Sequence, residues 1–229
     1  MLWFRSFFTM DKLKILSEDK DILAVFKPAG VASESARIGS MDMISHVKNY
    51  LAEKSNGEPY AALIHRLDQP VEGILLFAKN KKAAAELSKA LQNGKFEKEY
   101  IAVTDSENEA LQGEIKLVDW LLKDNKSNTS KVVNEGVKGA KKAELAYSRE
   151  GAYEDGGEVL RIRLMTGRHH QIRVQLSHAG MPIRGDRKYG GKAAPQMMLS
   201  AAVLRFPHPS TGKLINIEQT PSFLDKGVQ

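Results

Sequence analysis

The sequence predicts an α+β fold. Short apolar runs bounded by Pro and Gly, which read as strands, recur from one end of the chain to the other. Runs with apolar residues at helical spacing separate only some of them, so the order is mixed. Strict alternation would instead have favoured a doubly wound sheet. No internal repeat or long linker breaks the chain, and 229 residues suit one domain, or two tightly joined halves, with a sizeable core.

Residues 1–10 are apolar but too short to span a membrane, and they lack the basic start and cleavage site of a secretory signal. They read as a leader without order. Residues 13–16 and 22–26 read as strands joined by a charged turn, and Lys27-Pro28-Ala29-Gly30 forces a sharp exit. Ile44, Val47 and Leu51 predict a helix within 42–53, with Ser40 or Asp42 as its cap. Two apolar runs, 61–64 and 74–78, then flank a polar crossing that carries His65, Arg66 and Asp68. They read as buried strands, although length alone leaves buried helix open. A polar loop between buried strands presents chemistry on a rigid mount, with Asp68 as the candidate acid and Arg66 beside it. Taken alone, each has a plainer reading: Asp68 as a turn residue, Arg66 as a surface cation, His65 as a hydrogen-bonded strand residue.

Ala84, Leu87 and Leu91 predict a second helix over 81–93, stopped by Gly94. Residues 96–104 turn to β character, with Tyr100, Ala102 and Thr104 on one face and Ile101 and Val103 on the other. Strand-like pieces at 113–117 and 143–147 surround a polar middle with six lysines: Lys123, Lys126, Lys131, Lys138, Lys141 and Lys142. That middle is either a basic hairpin touching phosphates or a solvated loop. Residues 159–166 alternate cleanly, Leu160, Ile162 and Leu164 against Arg161, Arg163 and Met165. Ile172, Leu176 and Ala179 give a third helix closed by Gly180, residues 182–191 are rich in turns, and 199–206 and 214–218 are the last strands. The packed domain is expected over 11–222, with 223–229 as a tail.

Lys plus Arg of 34 against Asp plus Glu of 28 leaves +6, which permits an anionic partner such as RNA without demanding one. The absence of cysteine excludes disulfides, thiolate nucleophiles and Cys-ligated zinc, and allows a reducing cytoplasm.

Four pieces stand in fixed order: ILAVFKPAG, HRLD, KEYIAV, and MTGRHHQIR leading to HAGMPIRGDRKYGG. Together they resemble the RluA-type family of RNA pseudouridine synthases, over roughly residues 12–221, and the HPSTG stretch fits as well. Each piece alone is weak, and four in order are strong. The resemblance implies the pseudouridine synthase fold, a mixed, mostly antiparallel sheet flanked by helices around a central cleft. The sequence lacks room for the N-terminal S4-type RNA-binding domain that many relatives carry, so a catalytic domain without it is expected. The implied activity is isomerisation of uridine in rRNA or tRNA: uracil leaves ribose, turns and rejoins through carbon 5. No cofactor and no metal are expected, and the protein is expected to act on RNA as a cytoplasmic monomer, away from membranes.

By the same resemblance the catalytic residues are Asp68, the essential carboxylate, Tyr100, which sits against the target base and is expected to take a proton from the sugar, and Arg173, which pairs with Asp68. Arg66 is associated with opening the RNA, Ile172 is an apolar neighbour of the pocket, and His65 and Arg168 complete the substrate contacts. The residue types suit the task. Everting a base costs a few kcal/mol, which stacking and hydrogen bonds in the pocket must offset. An aromatic ring supplies the stacking, and a guanidinium keeps a partly buried carboxylate ionised.

The sequence departs from the family pattern at Val71 and Glu72, where small polar residues are usual, and at His169, where Thr is usual. Glu72 would then put a negative charge near the RNA path. Two rivals belong to other classes. A non-catalytic RNA-binding protein would need damage at Asp68, Tyr100 or Arg173, and none is visible. A metal-dependent hydrolase would use His169, His170 and His178 with Asp68, but neighbouring histidines on a helix point apart and no compact ligand spacing emerges.

Overall fold

The computed structural model describes residues 13–35, 41–54, 57–105, 113–154 and 156–224. The leader, the alternative cap Ser40 and most of the expected tail lie outside them.

The chain opens with a hairpin of β1 (Ile15–Glu18) and β2 (Ile22–Lys27), whose turn closes where the Asp19 carboxylate accepts from the Asp21 and Ile22 amides. Helix α1 (Met43–Lys54) is capped by Asp42, which accepts from the Ser45 amide at 2.8 Å. The first of the two expected buried strands is only β3 (Ala62–Leu63), because the chain leaves the sheet to form the polar loop, and β4 (Glu72–Ala78) returns. Asn80 caps α2 (Lys81–Gln92), and Gly94 follows it in the left-handed region, as the sequence predicts.

Four antiparallel strands come next: β5 (Glu97–Thr104), β6 (Ile115–Asp124), β7 (Thr129–Val133) and β8 (Lys141–Ala152). The lysine-rich middle is therefore a paired hairpin, with Leu121 opposite Val132 and Trp120 opposite Val133. All six of its lysines are exposed. Strand β9 (Glu158–Leu164), helix α3 (Gln171–His178), β10 (Leu199–Pro207) and β11 (Leu214–Glu218) complete the chain.

The strands form one mixed sheet in the order β1-β2-β4-β10-β5-β9-β8-β6-β7, with β3 on β4 and β11 on β10. Among the described residues only β4 and β10 pair in parallel, through Ser200–Glu72 and Ala201–Gly73. Strands β2 and β4 are apolar along their length because both faces are covered. Leu23, Val25, Leu75 and Phe77 pack with Met43, Val47 and Leu51 of α1 and with Ile172 and Leu176 of α3. Ile22, Ala24, Ile74 and Leu76 pack with Ala83, Leu87 and Ala90 of α2. Each large apolar side chain so buried contributes about 1.5–3 kcal/mol. Tyr100 and Ala102 face the first cluster, while Ile101 and Val103 face a third that includes Phe223, a residue assigned from sequence to the tail. No helix among the described residues is long and apolar enough to cross a membrane.

Candidate active site

Two turns lock together to hold the polar loop. The loop turns where the Val71 amide reaches back to the Asp68 carbonyl. Gln69 accepts from the Gly30 amide at 2.8 Å, and its side chain returns a bond to the Gly30 carbonyl. The Ser33 hydroxyl donates to the Leu67 carbonyl at 2.8 Å. Lys27, fully buried, donates to the carbonyls of Pro28, Val31 and Gln69. Burial lowers its pKa to about 7, against the nearby charges of Asp68 and Glu72. With residues 67 and 69 both tied, Asp68 is fixed between them.

From this mount Asp68 Oδ2 accepts from Arg173 Nη1 at 2.9 Å. Arg173 is buried on α3 and grips a second acid: its Nε and Nη2 reach Asp186 at 2.7 and 2.9 Å. Burial disfavours the guanidinium charge, but the two carboxylates outweigh it and hold Arg173 above its ordinary range. Among the described residues Asp68 Oδ1 accepts no hydrogen bond, and the Asp68 side chain is 29% exposed. One oxygen is clamped, and the other has no hydrogen-bond partner there.

Tyr100 reaches the same place from β5. Burial, and then the Asp68 charge, raise its pKa well above the usual phenol range, so the ring presents a neutral hydroxyl. Its strand is set by Gly73. At that glycine, with φ of +123°, a Cβ would lie 2.4 Å from the Ala201 carbonyl oxygen, and Ala201 pairs with Tyr100 across β10 and β5. The end of the Asp68 loop is thus pressed against the strand beside Tyr100. An extra residue in β10, between Ala201 and Val203, adds a bulge there.

The start of α3 forms the opposite wall. Gln171, buried, accepts from the Arg168 amide and the Thr166 hydroxyl and donates to the Glu144 carbonyl. His170 takes the left-handed conformation, with φ of 53°, just before the helix. That corrects the expectation that His169 and His170 point apart: outside the helix their rings stack at 3.8 Å. His170 Nδ1 lies 2.9 Å from the Tyr189 hydroxyl, and its Nε2 lies 3.6 Å from Asp68 Oδ2.

The remaining sequence-predicted residues divide. Ile172 is buried beneath the site in the cluster that contains Tyr100. Arg168 is exposed, with Nε on the Lys142 carbonyl. His65 and Arg66 are not joined by hydrogen bonds to the Asp68 group. They line a pocket of about 470 Å³ with Ile44 and Glu34. His65 Nε2 is enclosed without a partner among the described residues, and burial and Lys98 lower its pKa to about 3. Glu72 does not face an RNA path: it is 1% exposed and accepts from the Ser222 amide and hydroxyl and from Gln196. Heading β4 inside the fold, it is consumed in anchoring the C-terminal segment.

His169, His170, His178 and Asp68 do not converge as metal ligands among the described residues. The one grouping with suitable spacing there is Asp19, Asp21 and His208, far along the sheet and hydrogen-bonded internally. Sequence reasoning missed Lys27, His170, Asp186 and Tyr189. All four lie in the quoted motif pieces, Lys27 in ILAVFKPAG, His170 in MTGRHHQIR and the last two in GDRKYGG, which was the available signal.

A loop carboxylate tied to a helix arginine beside a buried tyrosine, on a sheet of this order, defines a class. The solved structures of human RNA pseudouridylate synthase domain containing 1 and domain containing 4 share the fold. Their TM-scores are 0.77 and 0.75, at 23% and 20% identity, covering 95% and 93% of this chain and 87% and 90% of theirs. The fold is that of the pseudouridine synthases. A sequence model described as RNA pseudouridylate synthase matches residues 21–178, and the chain belongs to that family, in its RluA-type branch. Ribosomal large subunit pseudouridine synthase C of Pasteurella multocida (strain Pm70) is 33% identical over 214 residues, 89% of this chain. The protein of that name in Escherichia coli (strain K12) is 31% identical over 227 residues, 94% of this chain. The chain spans 63% and 67% of the lengths of these two curated relatives.

Proposed function

We propose that the protein is an RNA pseudouridine synthase acting in the cytoplasm on large-subunit ribosomal RNA, as a monomer and without a cofactor. The observation that carries this is the Asp68–Arg173 pair beside buried Tyr100, with one Asp68 oxygen clamped and one free. The relatives' names supply the RNA class.

An everted uridine would enter with its uracil against the Tyr100 ring and its reacting carbons near Asp68 Oδ1. The bond from ribose carbon 1 to N1 breaks, a bond to carbon 5 forms, and the carbon 5 proton leaves to water while N1 regains one. The net change is isomerisation. Arg173 pairs with the Asp68 carboxylate for its part, and Tyr100, whose phenol burial holds in its protonated form, serves as a neutral stacking surface. Arg66 and the neighbouring cavity suit the strand flanking the everted base, and Arg168 suits a phosphate.

Ribosomal RNA tritiated at uracil carbon 5 tests this, because each turnover sends one label to water. The unsubstituted protein should release tritium, whereas Asp68→Asn should bind the RNA about as tightly and release none, since binding rests on phosphate and stacking contacts. No release by folded protein from any ribosomal or transfer RNA overturns the assignment.

A further inference from the structure

We infer that His170 is a positioning residue for Asp68: held as the Nε2–H tautomer by Tyr189, it steadies Oδ2 alongside Arg173 and so aims Oδ1 at the nucleotide. This deepens the isomerase reading and rests on it.

The tautomer follows from the chain of donors. The Ser130 backbone N–H donates to the Tyr189 oxygen at 2.7 Å. The phenol hydrogen is then left to donate, and His170 Nδ1 lies 2.9 Å away. A ring that accepts at Nδ1 carries its proton on Nε2. Nε2 is the atom 3.6 Å from Asp68 Oδ2. That separation lies beyond hydrogen-bond distance in the substrate-free site, and catalytic contacts of this kind often tighten only in the substrate complex.

Three features show that the arrangement is built. Tyr189 is itself fixed, its carbonyl accepting from Ser177 on α3 and its ring lying 5.1 Å from the Arg173 guanidinium. His170 occupies left-handed backbone space that a non-glycine residue enters at a cost, and such strain gathers at functional sites. His169 stacks on His170 while bonding Ser130 Oγ and Asn128 Oδ1, so both histidines are pinned by β7 and its turn. Burial lowers the His170 pKa to about 4, opposed by Asp68. A neutral ring at working pH presents an N–H to Asp68 and not a charge.

Two measurements decide it. Ring nitrogen NMR on the 15N-labelled protein at pH 7 should show His170 protonated on Nε2, and Tyr189→Phe should release that preference. An Nδ1–H ring in the unsubstituted protein overturns the inference whatever the activity. The second measurement is single-turnover tritium release beside RNA affinity. His170→Asn tolerates the left-handed backbone but cannot reach Asp68, and should slow the rate roughly ten- to a hundredfold with affinity unchanged. His170→Gln, which can place an N–H near the Nε2 position, should recover most of that loss. Tyr189→Phe should cost little more once His170 is Asn, because both act through one contact. Normal turnover by folded His170→Asn, or equal loss in both His170 variants, sinks the inference. An unsubstituted protein that releases no tritium refutes the isomerase reading instead, and the NMR result still judges the contact.

Discussion

Arg173 answers two acids with one guanidinium, and the acids differ in what they would lose without it. Asp186 is 1% exposed, so its charge has no solvent to turn to, whereas Asp68 is partly open to the cleft. Arg173→Met should therefore destabilise the fold by about 3–5 kcal/mol, mostly through an unpaired Asp186. Urea unfolding at pH 7 measures this, and Arg173→Met with Asp186→Leu should be more stable than the single variant. Equal stabilities would show that Asp186 is not the stranded charge. Lys27 gives a different signature. Its pKa falls from the ordinary lysine range to about 7 on folding. Between about pH 7 and pH 10 the unfolded chain thus binds a proton that the folded one does not, and folding stability from this group rises with pH, by at most about 1.4 kcal/mol per unit. The unfolding free energy of the unsubstituted protein minus that of Lys27→Met should climb over that window. A flat difference would mean Lys27 keeps its proton in the fold.

At the scale of elements, the position of the Asp68 loop depends on how closely β4 crosses β10. Gly73 makes that crossing, and its conformation and the Ala201 backbone both exclude a side chain. Gly73→Ala should part the strands, lowering stability by more than about 1 kcal/mol, and slow tritium release by more than the lost stability explains. A variant with ordinary stability and turnover would remove the strand crossing from the account. Most of this architecture was legible beforehand: the three helices and the faces of β5 and β9 follow from apolar spacing alone. The β6–β7 hairpin was legible only as one of two readings, because its buried side is narrow. Leu121 packs on Val174 and Ala143, while lysines and asparagines fill the turn and outer face, so composition speaks only for the solvent side. Strand β3 was overestimated for the converse reason: residues 61–64 are apolar enough for a longer strand, but the chain leaves the sheet to mount the loop.

For the molecule as a whole, the site gathers residues separated by up to 162 positions, from Lys27 to Tyr189. The acid, the phenol and the guanidinium were legible because the resemblance assigns each a role. Asp186, Tyr189, His170 and Lys27 stand in the same motif pieces, but they act through burial and through partners far along the chain, which spacing does not encode. The net charge of +6 is likewise a total without an address until the fold gives it one. The β6–β7 hairpin sets Lys123 and Lys126 in solvent, and Lys123 together with Lys188 on the GDRKYGG turn bears electrostatically on His169 at the rim of the site. Neither the Lys123 nor the Lys126 side chain forms a hydrogen bond or ion pair among the described residues, so both are available to an RNA backbone. RNA affinity should fall as salt rises, the logarithmic slope reflecting about 0.7–0.9 per phosphate contact. Changing Lys123 and Lys126 to Gln should flatten that slope by about the same amount for each lysine that meets a phosphate, with stability and the NMR signature of His170 unchanged. A titration series from low to moderate salt reads the slope directly. If the double variant keeps the full slope, the RNA approaches the cleft from another side, and the hairpin's part is confined to holding the histidines.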